Sequence, residues 1–248
     1  MDFHILVFVL VGFIAQLIDG ALGMAYGVSS NTFLLSIGIP PAAASASVHM
    51  AECVTTAVSG ASHWKLGNID KTLIKKLLIP GVLGGIAGAY ILTSVNGNAI
   101  KPYVSAYLIL MGIVILVKAI RKNHVHKEVR SHLIPLGLVG GFFDAIGGGG
   151  WGPIVTTTLV ARGNAPRYAI GSVNFSEFFV TFAQSVTFLL TLGMLNTWKI
   201  IIGLLVGGVL AAPLAAVAAR KLPTRILMTM VGILIIALSV RTIFLTLR

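Results

Sequence analysis

Four carboxylates stand inside apolar stretches of this 248-residue chain: Asp19, Glu52, Asp144 and Glu177. The chain has only seven acids, so most of them lie where ionised groups are costly. Such groups face a bundle interior or a wet cavity, where they can handle protons or substrate. They can also cap broken helices and hold segments together by hydrogen bonds. Two polar stripes run with them. Ser45, His49, Glu52, Thr56, Ser59 and His63 recur at helical spacing on one otherwise apolar segment. Asn174, Glu177, Thr181 and Gln184 do the same in the second half. In a membrane these faces must turn inward, onto a water path or a polar helix–helix interface.

Glycine runs interrupt two further apolar stretches, at Gly20-Ala21-Leu22-Gly23 through Gly27 and at Gly147-Gly148-Gly149-Gly150 through Gly152. Consecutive glycines make poor helix interior. At membrane depth a broken backbone is tolerated where protein or a water-filled cavity satisfies it. Asp19 and Asp144 precede the breaks on small-residue faces (Gly12, Gln16, Gly23; Gly137, Gly141, Gly148). Hydroxyl and amide residues follow: Ser29, Ser30, Asn31 and Thr32, then Thr156, Thr157 and Thr158. A half-helix starting there points free N–H groups and its positive dipole end at the break, which suits an anion. Tyr26 and Trp151 hold equivalent places beside the breaks, as cavity walls or as core.

The candidate substrate site is therefore Gly23, Tyr26, Gly27, Ser29, Asn31, Thr32, Ser47 and His49 in the first half. In the second half it is Gly148, Gly149, Gly150, Trp151, Gly152, Thr156, Thr157, Ser172 and Asn174. Asp19, Glu52, Asp144 and Glu177 are proton-coupling or structural carboxylates. His124 and His126 lie in a basic loop, and His49 and His63 have no compact ligand cluster, so no metal and no cofactor is expected. The second glycine run lacks the Lys-Ser/Thr of a nucleotide loop. No nucleophile–base pair marks an enzyme.

The elements that carry these residues follow from composition. Apolar residues make up 56% and charged residues 10%, against roughly 25% charged in soluble domains. Mean hydropathy is +0.96. Disorder, collagen and disulfide scaffolds are excluded. An all-α polytopic membrane protein remains. Its net charge of +11 fits basic loops on the cytoplasmic side rather than nucleic acid binding. The N-terminus lacks the basic region of a signal peptide, so the first segment reads as part of the mature protein.

The halves repeat. A shift of 125 pairs Gly12 with Gly137, Asp19 with Asp144, Gly27 with Gly152, Pro41 with Pro166, Ser47 with Ser172 and Glu52 with Glu177. Each repeat reads as a broken hairpin followed by three helices. The first repeat covers 1–120, with hairpin 3–38 and helices 42–62, 77–95 and 102–117. A basic linker follows at 121–132. The second repeat covers 133–248, with hairpin 133–161 and helices 167–192, 199–219 and 226–247. If both broken segments return to their own side, 14 of 18 basic residues fall on one face of the membrane. If both cross once, the better arrangement gives 12. The positive-inside rule prefers hairpins, and three crossings per half then invert the repeats. Broken segments at matching places in two halves mark the binding site of a secondary transporter.

Asp19-Gly20-Ala21-Leu22-Gly23-Met24-Ala25-Tyr26-Gly27, Gly147-Gly148-Gly149-Gly150-Trp151-Gly152-Pro153, and the Gly-x-x-Pro steps at Gly38–Pro41 and Gly163–Pro166 complete the pattern. On these the chain resembles the TauE/SafE family of sulfite and organosulfur anion exporters over nearly its whole length. Leu22, Met24 and Ala25 depart from the all-glycine run in the first half. The resemblance implies a cell-membrane exporter of sulfite, thiosulfate or an organosulfonate. Four ionised acids would repel such a substrate. They must carry protons, pair with His49 or cap helices, or load and unload protons in turn. The last of these, at Glu52 and Glu177 with His49 assisting, is the expected coupling. An anion channel, or a cation or metal transporter built on the four acids, are the alternatives. The C-terminal segment is free to face lipid or a second copy of the chain.

Overall fold

In the computed structural model, residues 3–22, 24–120, 131–193, 197–221 and 224–247 are described. Most of the linker (121–130) and Gly23 lie outside them. The described residues form ten α-helices and one π-helical turn, with no strand among them. In chain order the helices are α1 (Phe3–Leu22), α2 (Tyr26–Ser36), α3 (Pro41–Lys65), α4 (Lys71–Ser94) and α5 (Gly97–Ile120). They continue as α6 (Leu133–Gly147), α7 (Thr157–Ala161, entered through the π turn Gly152–Thr156), α8 (Pro166–Leu192), α9 (Trp198–Lys221) and α10 (Thr224–Thr246). Four helical stretches, α4, α5, α8 and Met228–Thr246, are long and apolar enough to cross a membrane.

Local chemistry sets the boundaries. Pro41 and Pro166 each open a helix at its first position, where a missing N–H costs nothing. Asp70 caps α4, its carboxylate accepting from Thr72 N–H (2.7 Å) and Leu73 N–H (3.4 Å). Asn96 accepts from Asn98 N–H at 2.9 Å ahead of α5. These caps carry α4 and α5 past the apolar windows 77–95 and 102–117, because charged and polar first turns still form helix.

The halves are interleaved rather than side by side. α1 packs along α9, and its repeat counterpart α6 packs along α4. α3 packs on α8 and α5 on α10, each pair being repeat counterparts. Gly12 meets Leu204 of α9 as Gly137 meets Leu77 of α4. Both broken segments fold back. Arg162 Nη1 donates to the Ser131 carbonyl at 2.8 Å, so the second segment ends beside its own start. At the other end, Pro41 lies against Gly97, and Arg241 Nη1, near the end of α10, donates to the carbonyl of Ser36, the last residue of α2, at 2.9 Å. The turning points meet in the middle. A Cβ built on Gly27 would sit 2.6 Å from Gly149 Cα, so both segments need glycine there. Gly149 also stands at φ +145, a conformation that L side chains rarely adopt.

Candidate functional site

The two aspartates do the same work. Asp19 Oδ1 accepts from Tyr26 N–H at 3.1 Å, and Asp144 Oδ1 accepts from Trp151 N–H at 2.9 Å. Each acid thus sits seven residues before the amide it caps, across its glycine break. A carboxylate there satisfies an orphan donor and complements the dipole of the half-helix beyond. The sequence pairing Asp19/Asp144 and Tyr26/Trp151 is met atom for atom.

A polar cavity of about 250 Å³ opens between the breaks and the facing stripes of α3 and α8. It is lined by Asp19, Tyr26 and Gly27 from the first break, Gly149, Gly150 and Gly152 from the second, and Glu52, Asn174 and Glu177 from the stripes. Gln16, Met24, Ala25, Val28, Thr55, Thr56, Ser59, His63, Pro153 and Ile170 complete it. Three carboxylates and no lysine or arginine face it among the described residues. The stripes meet directly at Thr56 and Thr181, whose hydroxyls are 3.5 Å apart, and at Asn174 Nδ2, which donates to Ser59 Oγ at 3.0 Å. Both readings of the stripes hold: they are a helix interface and a cavity wall.

One stripe continues into a dry interior. His49 is fully buried, with Nδ1 3.7 Å from Glu52 Oε2 and Nε2 3.6 Å from Asp144 Oδ2. Its ring meets Phe188 edge-on at 6.0 Å. Gln184 Nε2 donates to Asp144 Oδ2 at 3.0 Å and to the Gly141 carbonyl at 3.2 Å. The row Asp144–His49–Glu52 therefore leads from a buried cap to the cavity, at distances slightly beyond hydrogen bonding. The repeat counterpart of His49 is Asn174, so the second half has no such row.

The remaining candidate residues sit away from the cavity. Trp151 is fully buried core, its Nε1 donating to the Val173 carbonyl at 3.2 Å, whereas Tyr26 lines the cavity and donates its hydroxyl to the Leu204 carbonyl at 3.2 Å. Asn31 Nδ2 donates to the Gly147 carbonyl and packs at Gly148, tying the first break to the second. Thr32 and Ser47 bond carbonyls of their own helices, Val28 and Ala43. Ser172 Oγ accepts from Asp70 N–H at 2.7 Å. Ser29 and Thr156 are buried, and Thr157 approaches Met24 Sδ at 4.0 Å. Gly23 lies outside the described residues. Among the lining residues outside the candidate set, Thr55 and Pro153 carry a legible signal. Thr55 adjoins the stripe, and Pro153 closes the second glycine run.

Membrane-length helices, two broken segments meeting at an interior polar cavity, and carboxylates buried beside it define a membrane transporter. Comparison with known proteins agrees. The chain belongs to the Sulfite exporter TauE/SafE family, whose profile matches residues 8–242. It is 45% identical to the Bacillus subtilis (strain 168) "Probable membrane transporter protein YtnM", with 96% of this chain and 82% of that one covered. No solved structure matches it.

Proposed function

We propose that this protein exports a small sulfur oxyanion, such as sulfite, thiosulfate or an organosulfonate. On this reading the substrate sits in the cavity between the two breaks, with Glu52 and Glu177 carrying the coupled protons. One observation carries it: two repeat-related glutamates face the cavity that both glycine breaks open onto. The aspartates are occupied as caps. Glu52 Oε2 is buried without a hydrogen-bond partner, and no side-chain bond engages the Glu177 carboxylate among the described residues. A carboxylate left free in this way can take up and release a proton. Protonated, the pair accommodates an anion beside the Gly27 and Val28 amides at the start of α2. Ionised, it repels the anion. Binding substrate and proton together, and releasing both, is symport arithmetic.

The proposed architecture is an inverted repeat, with access alternating as one repeat rocks against the other. The broken segments support this by starting and ending at opposite ends of the bundle. The acids also permit a cation carrier, and their number in the cavity is what favours it.

Purified protein in liposomes, loaded with labelled sulfite, tests the reading. Efflux should saturate, respond to an imposed pH gradient, and lose that response in the Glu52→Gln/Glu177→Gln variant while exchange persists. Flux that ignores the gradient, or is unaltered in the double variant, sinks the coupling. Non-saturating flux points to a channel, and competition by divalent cations rather than sulfonates points to the cation carrier.

A further inference from the structure

The cavity lacks a basic lining residue, yet a lysine stands one side chain away. Lys118 lies in the last turns of α5, half-buried in an apolar recess with Val114, Val117, Thr157 and Val160. Its Nζ lies 3.4 Å from Met24 Sδ. No ion pair with a carboxylate engages it among the described residues. A thioether is a weak acceptor. An ammonium held this way is poorly compensated, and an anion would bind it far better.

Met24 touches both sides. Met24 is a cavity-lining residue, while its sulfur faces Lys118 and, at 4.0 Å, the Thr157 hydroxyl. It is therefore the partition between the cavity and the ammonium. It is also where the repeat breaks. The counterpart of Met24 is Gly149, and that of Ala25 is Gly150. Ala25 stands at φ 101, a left-handed conformation that glycine would adopt without strain. The first half thus places a side chain where the second has only backbone, and holds it at a turn that disfavours side chains.

We propose that Lys118 and Met24 form a gated anion station on one side of the cavity. In the structure Met24 covers the ammonium. Rotation of its unbranched, flexible side chain brings Lys118 Nζ into contact with an oxygen of sulfite or a sulfonate. This rests on the anion reading of the cavity, and supplies the positive charge that its acidic lining lacks.

Two experiments test it. In liposomes, Lys118→Met should raise the sulfite concentration for half-maximal efflux by about tenfold or more, the loss expected for one charge-assisted hydrogen bond, and Lys118→Arg should restore most of it. In a Cys53→Ala background, a Lys118→Cys thiol should react slowly with an anionic methanethiosulfonate reagent. Adding Met24→Ala should speed the reaction about tenfold, Met24→Leu should not, and sulfite should slow it. Half-saturation within twofold of the unaltered protein in Lys118→Met, or labelling indifferent to Met24→Ala, overturns the station and leaves the anion reading standing. An unaltered protein that moves neither sulfite nor a sulfonate overturns both. The labelling readout does not depend on transport, so a variant that folds but no longer carries sulfite is still informative.

Discussion

Replacing Asp144 separates a capping carboxylate from a proton-carrying one. Asp144 is 1% exposed, and its carboxylate accepts from Trp151 N–H at 2.9 Å and from Gln184 Nε2 at 3.0 Å. Asp144→Ala strands both donors, each at about 1–3 kcal/mol, or about 2–6 kcal/mol together. At about 2–4 °C per kcal/mol for a chain of this size, the melting temperature should fall by on the order of 10 °C. Asp144→Asn keeps an oxygen for Trp151. Its new N–H group meets Gln184, whose Oε1 has no partner and can turn to accept. The loss should then stay below about 2 kcal/mol, one neutral hydrogen bond rearranged. Thermal unfolding in detergent gives the stability, and sulfite efflux from liposomes gives the function. The asparagine variant should remain stable and keep its response to a pH gradient. If alanine costs no more than asparagine, the carboxylate is not a cap. If asparagine abolishes the pH response while leaving stability intact, Asp144 belongs with the glutamates and the division of labour drawn above is wrong.

His49→Asn gives the first half the residue that the second half carries at Asn174. The variant should melt within a few degrees of the parent, since His49 has no hydrogen-bonded partner to lose, and its pH–flux profile should move; an unmoved profile removes His49 from the proton route. Gly27→Ala puts a methyl 2.6 Å from Gly149 Cα and 2.9 Å from the Gly148 carbonyl oxygen. The broken segments must part, at about 1–3 kcal/mol, and flux should fall with stability. Gly38→Ala, strained at φ +95 but in open space, should lose about 1–2 kcal/mol and no flux, so equal transport defects in the two would refute the steric argument.

The positions of the acids, the two breaks and the facing stripes were legible because each violates the apolar rule at a spacing that fixes its face. Asp19 and Asp144 stood out for that reason, and capping was one of the roles open to them without being singled out. Capping depends on how the chain returns after the glycines, and Tyr26 N–H comes back to Asp19 only because Ala25 turns left-handed. Tyr26 and Trp151 were indistinguishable in sequence for a related reason. Trp151 packs its ring against Gly81 and Gly140, while Tyr26 lines the cavity and a Cβ built on Gly208 would lie 3.7 Å from its hydroxyl. Gly81 and Gly208 come from the opposite half, and interleaving cannot be read from a pattern that repeats along the chain. Among the hydroxyls after the breaks, one takes a local partner. Thr32 bonds back to the Val28 carbonyl of its own helix, the local option always open to such residues.

On the proposed inverted repeat, the two halves should be interchangeable, and here they are not in equivalent surroundings. Asp144 is sealed between Gln184 and His49, while its counterpart Asp19 lines the cavity. The α3 stripe divides in the same way. Glu52, Thr56, Ser59 and His63 are on the cavity, and Ser45 and His49 are dry against α6 and Phe188. Identical caps in one wet and one dry setting are what a two-state carrier presents when held in one state. On the proposed alternating access, the other state would exchange the roles of the halves, wetting Asp144 and sealing Asp19. His49 then becomes the group that crosses from dry to wet, since it lies between Asp144 and Glu52 on the side that must open. Asn174 occupies the matching place and cannot take up a proton there. Only one of the two openings would therefore be proton-linked through a histidine, and Met24 and Lys118 place the second asymmetry in the same half. On that reading the two openings differ at these three residues, of which Met24 lines the cavity while His49 and Lys118 stand behind its wall.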